Sequence, residues 1–160
     1  MVVLGIVLAV SAGACGSTLF PNASPTQQEL AREALGVQQQ VWNSKGITDY
    51  EFSLTKSCFC PDMPTYRVTV VDGVVSQVTV SRVPVDPAEV KDLPKTIPEL
   101  FALVHALPAD QALAVMYDPD WGFPQRIDVD PIPNAVDDEY TIAAVAFKPI
   151  SVPPGATPAS

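Results

Sequence analysis

Asp49-Tyr50-Glu51-Phe52-Ser53-Leu54-Thr55 alternates polar and apolar side chains without a break. Successive side chains of an extended strand point to opposite faces. The spacing therefore predicts a strand with Tyr50, Phe52 and Leu54 on a dry face and Asp49, Glu51, Ser53 and Thr55 on a wet one. Just upstream the period is helical: Leu30, Ala34, Val37 and Val41 recur at four, three and four residues, with Ala31, Leu35 and Trp42 beside them. Ser24-Pro25-Thr26-Gln27 and Thr26-Gln27-Gln28-Glu29 both have capping-box spacing, and Gly46 follows Lys45 as a stop signal, so a helix is expected from about residue 25 to Lys45. These residues make one apolar stripe, and the helix is expected to lie on the dry face of the strand.

Downstream, Tyr66, Val68 and Val70 continue the period of two, and Asp72-Gly73 is a hairpin signal. A two-residue loop would pair Val70 with Val75 and send Val74, Val78 and Val80 to the opposite face. A bulged three-residue loop, Val71-Asp72-Gly73, pairs Val70 with Val74, Val68 with Ser76 and Tyr66 with Val78, and is preferred because it keeps the valines together. Asp86-Pro87-Ala88-Glu89 opens a helical turn, and Thr96-Ile97-Pro98-Glu99 caps a second helix running to about Leu107. Leu113, Val115 and Tyr117 form a fourth strand, Ile127 and Val129 a fifth after the Asp118–Gly122 turn, and Tyr140 to Phe147 a sixth. The order helix, three strands, helix, three strands predicts an α+β fold: an antiparallel sheet of about six strands with helices packed on one face. A single domain is expected over 26–148.

The ends differ in kind. Residues 1–28 carry no charged side chain, and Val2 to Val10 is a short apolar run leading into Ser11-Ala12-Gly13-Ala14-Cys15. The run is too short to span a bilayer and fits a secretory signal over 1–14. Cys15 after small residues resembles the lipobox of bacterial lipoproteins, which implies a lipidated Cys15 and attachment to a membrane at the cell envelope. A plain secretory signal with Cys15 incidental is the alternative. Residues 15–25 have the composition of a flexible tether, and 149–160 that of a Pro-rich disordered tail. The net charge of −9, from 18 acidic and 9 basic residues, repels phosphate backbones and makes nucleic acid an unsuitable partner.

Taken together, Trp42, the Tyr50-x-Phe52 strand, Cys58-Phe59-Cys60, Asp72-Gly73, Thr96-Ile97 with Phe101, Tyr117-Asp118, Gly122-x-Pro124 with Ile127, and Asp138-Glu139 make the stretch from about Trp42 to Phe147 resemble one bacterial family. It is a family of exported proteins known as a domain of unknown function, numbered 6174. The resemblance implies an α+β domain in the envelope and implies no activity, substrate or catalytic residue.

Cys58 and Cys60 are the residues most open to chemistry, being the thiols left in an oxidising compartment once Cys15 is lipidated. Two residues apart on a strand they share a face but stand near the upper limit for a disulfide, so closure needs a bend, for which Pro61 is placed. A structural disulfide, a redox-active thiol pair, a copper site with Met63 as a third soft ligand, and two reduced thiols all remain open. Eight acids against Arg126 alone between Asp110 and Glu139 invite a calcium reading, but the twelve positions from Asp118 lack the Gly and Glu of an EF-hand loop. His105, the single histidine, sits among Leu103, Val104 and Ala106 with no nucleophile motif to serve, and no phosphate-binding, dinucleotide or hydrolase motif is present. Trp42 belongs with the helix stripe. Trp121 and Phe123 in a turn are the candidate partner contacts. The expectation is a non-enzymatic, cofactor-free, lipid-anchored envelope protein that binds a protein or envelope component through a sheet face or the 118–124 turn. The alternative is a thiol redox or copper-handling protein using Cys58 and Cys60.

Overall fold

Thr26 opens the first helix, α1 (Gln27–Lys45), with both halves of a capping box: Glu29 N–H donates to its hydroxyl (3.2 Å) and Thr26 N–H donates to the Glu29 carboxylate (2.6 Å). Gly46, at φ 61, closes the helix in the left-handed conformation that glycine tolerates best. The computed structural model describes residues 26–150 except 62, 109, 110 and 134. The expected signal segment, Cys15, the tether over 15–25 and residues 151–160 of the tail expected over 149–160 lie outside the described residues, while Pro149 belongs to the last strand and Ile150 N–H donates to Asp49 O (3.0 Å).

After α1 come β1 (Tyr50–Cys58), β2 (Tyr66–Val71), β3 (Val74–Val80), β4 (Val83–Val85), α2 (Ile97–Ala106), β5 (Ala112–Tyr117), β6 (Pro124–Asp130) and β7 (Tyr140–Pro149). They form one sheet of seven strands in the order β4-β3-β2-β1-β7-β6-β5, every neighbouring pair antiparallel. The class is α+β, as expected. The strand count is corrected from six to seven, and the order to helix, four strands, helix, three strands.

The added strand is β4. Pro84 sits at its centre, which argues against a strand unless the strand is an edge, and β4 is one. The turn before it, Ser81-Arg82, holds both residues at positive φ (50 and 71) without the Gly or Asn such a turn favours. Replacing Ser81-Arg82 with Asn-Gly is therefore expected to stabilise the domain by about 1–2 kcal/mol, read as a higher urea midpoint at unchanged slope.

The β2–β3 hairpin corrects the expected register. Its loop is the two residues Asp72-Gly73, with Val71 opposite Val74 and Val70 opposite Val75. The valines are still kept together, because Ser76 is an extra residue in β3 that restores Val68 opposite Val78 and Tyr66 opposite Val80. The bulge stands in the strand, not in the turn.

A second bulge sits in β7. Two steps along β1, from Glu51 to Ser53, match three along β7, from Lys148 to Val145. Ala146 takes the strain at φ 54. The extra residue reverses the alternation set by buried Ile142 and Ala144, and so Phe147 turns into the core among Trp42, Tyr50, Trp121 and Phe123.

Tyr50, Phe52, Leu54, Val68, Val70, Val78, Leu113, Ile127, Val129, Ile142 and Ala144 form the dry sheet face, and both helices lie on it. Ile97 N–H donates to Tyr50 Oη (3.0 Å), and Tyr117 Oη donates to Ala31 O (3.2 Å), tying one helix each to the sheet. Of the expected apolar stripe of α1, Ala31, Leu35 and Trp42 are buried as expected, whereas Leu30 and Val37 are 43% and 60% exposed. Burial pushes Tyr50 and Tyr117 up from 10.0 to about 12. With the folded pKa above the unfolded one, this stabilisation is complete below pH 10 and is lost as pH rises towards 12. The urea midpoint is expected to fall across that window, and to fall less steeply in Tyr117→Phe; an equal fall in that variant would refute the assignment.

Candidate functional site

Cys58 ends β1, and the chain bends at once over Phe59, Cys60 and Pro61. The bend brings the two Cα atoms to 5.2 Å, and the sulfur atoms of Cys58 and Cys60 are in bonding contact. Phe59 between them is 80% exposed. Met63 packs against the edge of the core. A bonded pair presents no thiolate, so in this form Cys58, Cys60 and Met63 do not constitute a three-sulfur copper set.

Of the two candidate contact residues, Phe123 is corrected: at 1% exposed it is a core residue, its ring 5.0 Å from that of Phe147 and 6.1 Å from that of Trp42. Trp121 is half-buried, its ring 5.3 Å from that of Phe147 and tilted to it by 53°, with the Lys45 ammonium 5.7 Å over its ring. The turn that carries them is shaped by Asp118, whose Oδ1 accepts the N–H groups of Asp120 and Trp121 (2.9 Å each). Among the described residues, no group of three or more His, Cys, Asp or Glu side chains gathers where a metal could sit. His105, exposed, pairs with Gln39 at 3.3 Å.

The other face of the sheet is where polar side chains converge. Glu51, Ser53, Thr55, Arg67, Thr69, Thr79, Arg126, Asp128 and Thr141 all point there by register. Arg126 donates to Asp128 (2.8 Å), which also accepts from the Thr141 hydroxyl. Partial burial alone would raise the Asp128 pKa, but the hydrogen bonds from Arg126 and Thr141 and the Arg126 charge outweigh it and hold it below the ordinary value. Arg67 meets Glu51 at 3.3 Å across β1 and β2. Such exposed pairs contribute little to stability and chiefly order the surface.

Beside Arg67 the face sinks into a hollow of about 450 Å³ lined by Ser53, Thr65, Thr79, Ser81, Arg67 and Arg82 among others. Two arginines and four hydroxyl-bearing residues line this concavity, the Arg67 charge offset by its ion pair with Glu51, and they make it rich in hydrogen-bond donors on a chain of net charge −9. The sequence carried half of this signal. Arg67 and Thr69 fall on the wet phase of β2, whereas Arg82 joins them only through the Ser81-Arg82 turn and β4.

A seven-stranded antiparallel sheet with two helices on its dry face and a polar, partly basic opposite face defines a small α+β sheet domain. The chain belongs to DUF6174, a family of unknown function, whose sequence model matches residues 34–149, from the middle of α1 to the end of β7. No curated protein and no solved structure matches it.

Proposed function

We propose that this is a non-catalytic binding module, held at the cell envelope by a lipid on Cys15, which takes an anionic envelope component on the open sheet face at the Arg67–Arg82 hollow. The observation that carries the binding reading is the hollow itself: side-chain donors that include Arg82 and the Glu51-paired Arg67, set in a face that no helix covers among the described residues. The anchor rests on the Ala12-Gly13-Ala14-Cys15 stretch. Intact mass of membrane-extracted protein is expected to show a chain beginning at a diacylglyceryl Cys15; an unmodified Met1 terminus would remove the anchor. A photo-crosslinking residue at Thr79 is expected to capture an envelope component, with capture lost in Arg67→Glu/Arg82→Glu. The same residue at Gln40, on α1, serves as control, and equal capture from both positions would overturn the binding face.

Surface placement of the Cys58–Cys60 bridge favours a second reading, a thiol redox protein. Phe59 and Cys60 are exposed, so a reductant reaches the sulfurs without unfolding the sheet. Labelling of both thiols after mild reduction of the native protein would support it, and resistance until the protein is denatured would reject it.

A further inference from the structure

Two neighbouring loops at one end of the sheet carry apolar tips. Cys58 pairs with Tyr140, so the bend after β1 lies beside the connection from β6 to β7. Phe59 on the first is 80% exposed, and Ile132 and Val136 on the second are 62% and 82% exposed. Val136 and Phe59 are the most exposed of the large apolar side chains among the described residues. Local structure presents them outward. The Cys58–Cys60 bridge closes the bend that carries Phe59, and Ala135 N–H donates to Ile132 O (2.8 Å) in the turn that leads into Val136. Single exposed apolar residues are ordinary on a protein surface, whereas a group on adjoining loop tips marks a contact.

The described chain enters the domain towards this same end. In its second half α1 meets the β5–β6 turn, at the opposite end of the sheet, where Gly122 packs on Gln38 and Val41. In its first half Arg32 donates to Leu107 O and Pro108 O (2.9 Å each), which lead into the start of β5, the strand end that pairs with Asp130. Thr26 therefore points towards the loop tips, while Ile150 leaves at the other end, beside Asp49. Thr26 follows Cys15 by eleven residues. A tether of that length spans about 18 Å on average, against about 30 Å for the nine residues of β1, so an anchor at Cys15 holds the loop end near a bilayer and the β2–β3 hairpin away from it.

We propose that this end of the sheet is a membrane-docking surface, with Phe59, Ile132 and Val136 entering the headgroup–acyl boundary of the bilayer that holds the anchor. The inference rests on the Cys15 lipid proposed above. Three apolar tips bind a free chain weakly, but the tether makes the contact intramolecular, so little affinity suffices. The surface suits neutral lipid, because exposed Asp137 and Glu139 flank Val136 and an anionic bilayer repels them. Docked in this way, the sheet stands on the membrane with its open face upright and the hollow lined by Ser81 and Arg82 at its foot.

The test uses the chain from residue 15, in which the Cys58–Cys60 bridge leaves Cys15 as the single free thiol, coupled through that thiol to a maleimide-bearing lipid in phosphatidylcholine vesicles. Attachment is then independent of whether a cell lipidates Cys15: failure of the anchor shows in the intact mass of membrane-extracted protein, and failure of docking shows here. A photo-crosslinking residue at position 59 or 136 is expected to give the mass of a lipid adduct. The same residue in place of Val74, 68% exposed on the β2–β3 hairpin, is expected to give little. Ile132→Ser/Val136→Ser, on exposed side chains, is expected to lower capture from position 59 roughly tenfold at an unchanged urea midpoint. Anionic lipid at low salt is expected to lower it as well. The proposal is overturned by no adduct from 59 or 136, by equal adduct from 74, by capture that ignores the double substitution, or by capture that rises on anionic vesicles.

Discussion

Alanine at Gly122 is expected to destabilise the domain by about 2–5 kcal/mol, combining the cost of a left-handed backbone with that of displacing packed atoms. Gly122 has φ 78, and a Cβ there would stand 2.8 Å from Val41 Cγ1, 2.9 Å from Val41 Cβ and 3.0 Å from the backbone oxygen of Gln38. Two of these atoms belong to the rigid part of α1, so relief requires the helix to lift off the β5–β6 turn. Gly73 separates the two contributions. It has φ 76 but nothing within 4 Å of its added Cβ, so Gly73→Ala should show the conformational cost alone, about 1–2 kcal/mol. Urea unfolding of both variants measures the difference. If Gly122→Ala is no worse than Gly73→Ala, the close approach of helix and turn does not hold in solution.

Trp42→Ala is expected to be of similar or greater severity, about 3–5 kcal/mol. Trp42 is 5% exposed and meets Tyr50, Phe123 and Phe147 edge-on, at ring separations of 5.6, 6.1 and 5.6 Å. These three come from β1, the end of the β5–β6 turn and the bulged end of β7, so the indole ties α1 to all three. Truncation leaves a void bordered by rigid rings that close poorly around it. Trp42→Phe retains much of the contact and should lose less than half as much. A thermal melt of Trp42→Ala within a degree or two of the parent would show that the aromatic group contributes little.

Elements with strong local chemistry were legible in the sequence. Thr26 with Glu29, Thr96 with Glu99 and Gly46 mark helix ends through hydrogen bonds made within one turn. Tyr50, Phe52 and Leu54 mark a face through simple alternation, and the Cys58–Cys60 spacing pointed to the bend that unites them. What could not be read depends on contacts made across the fold. The apolar stripe of α1 is wider than the face that is buried, and periodicity alone does not say which of its edges turns inward; the aromatic rings that draw Trp42 in, and leave Leu30 and Val37 exposed, come from distant strands. Ser81-Arg82 and Ala146 adopt conformations their side chains disfavour, so neither residue type announces a turn or a bulge. The burial of Phe123 follows from that hidden bulge, since Phe147 reaches it only after the change of phase. Of the candidate site, Arg67 falls on the outward phase of the alternation Tyr66, Val68, Val70, while the hollow that it shares with Arg82 depends on the unread edge strand.

The pairing of β1 with β7 at the middle of the sheet also governs how the chain can assemble. The first strand and the last are neighbours, and β7 alone joins β1 to β6. Without it the sequence has two separate pieces, β4-β3-β2-β1 and β6-β5, each with an open edge. Closure must wait until the residues through Pro149 have been synthesised, and it brings together segments far apart along the chain, which slows folding. A ribosome-bound chain ending before Tyr140 should therefore stay protease-sensitive, and the native sheet should form as a late, single step.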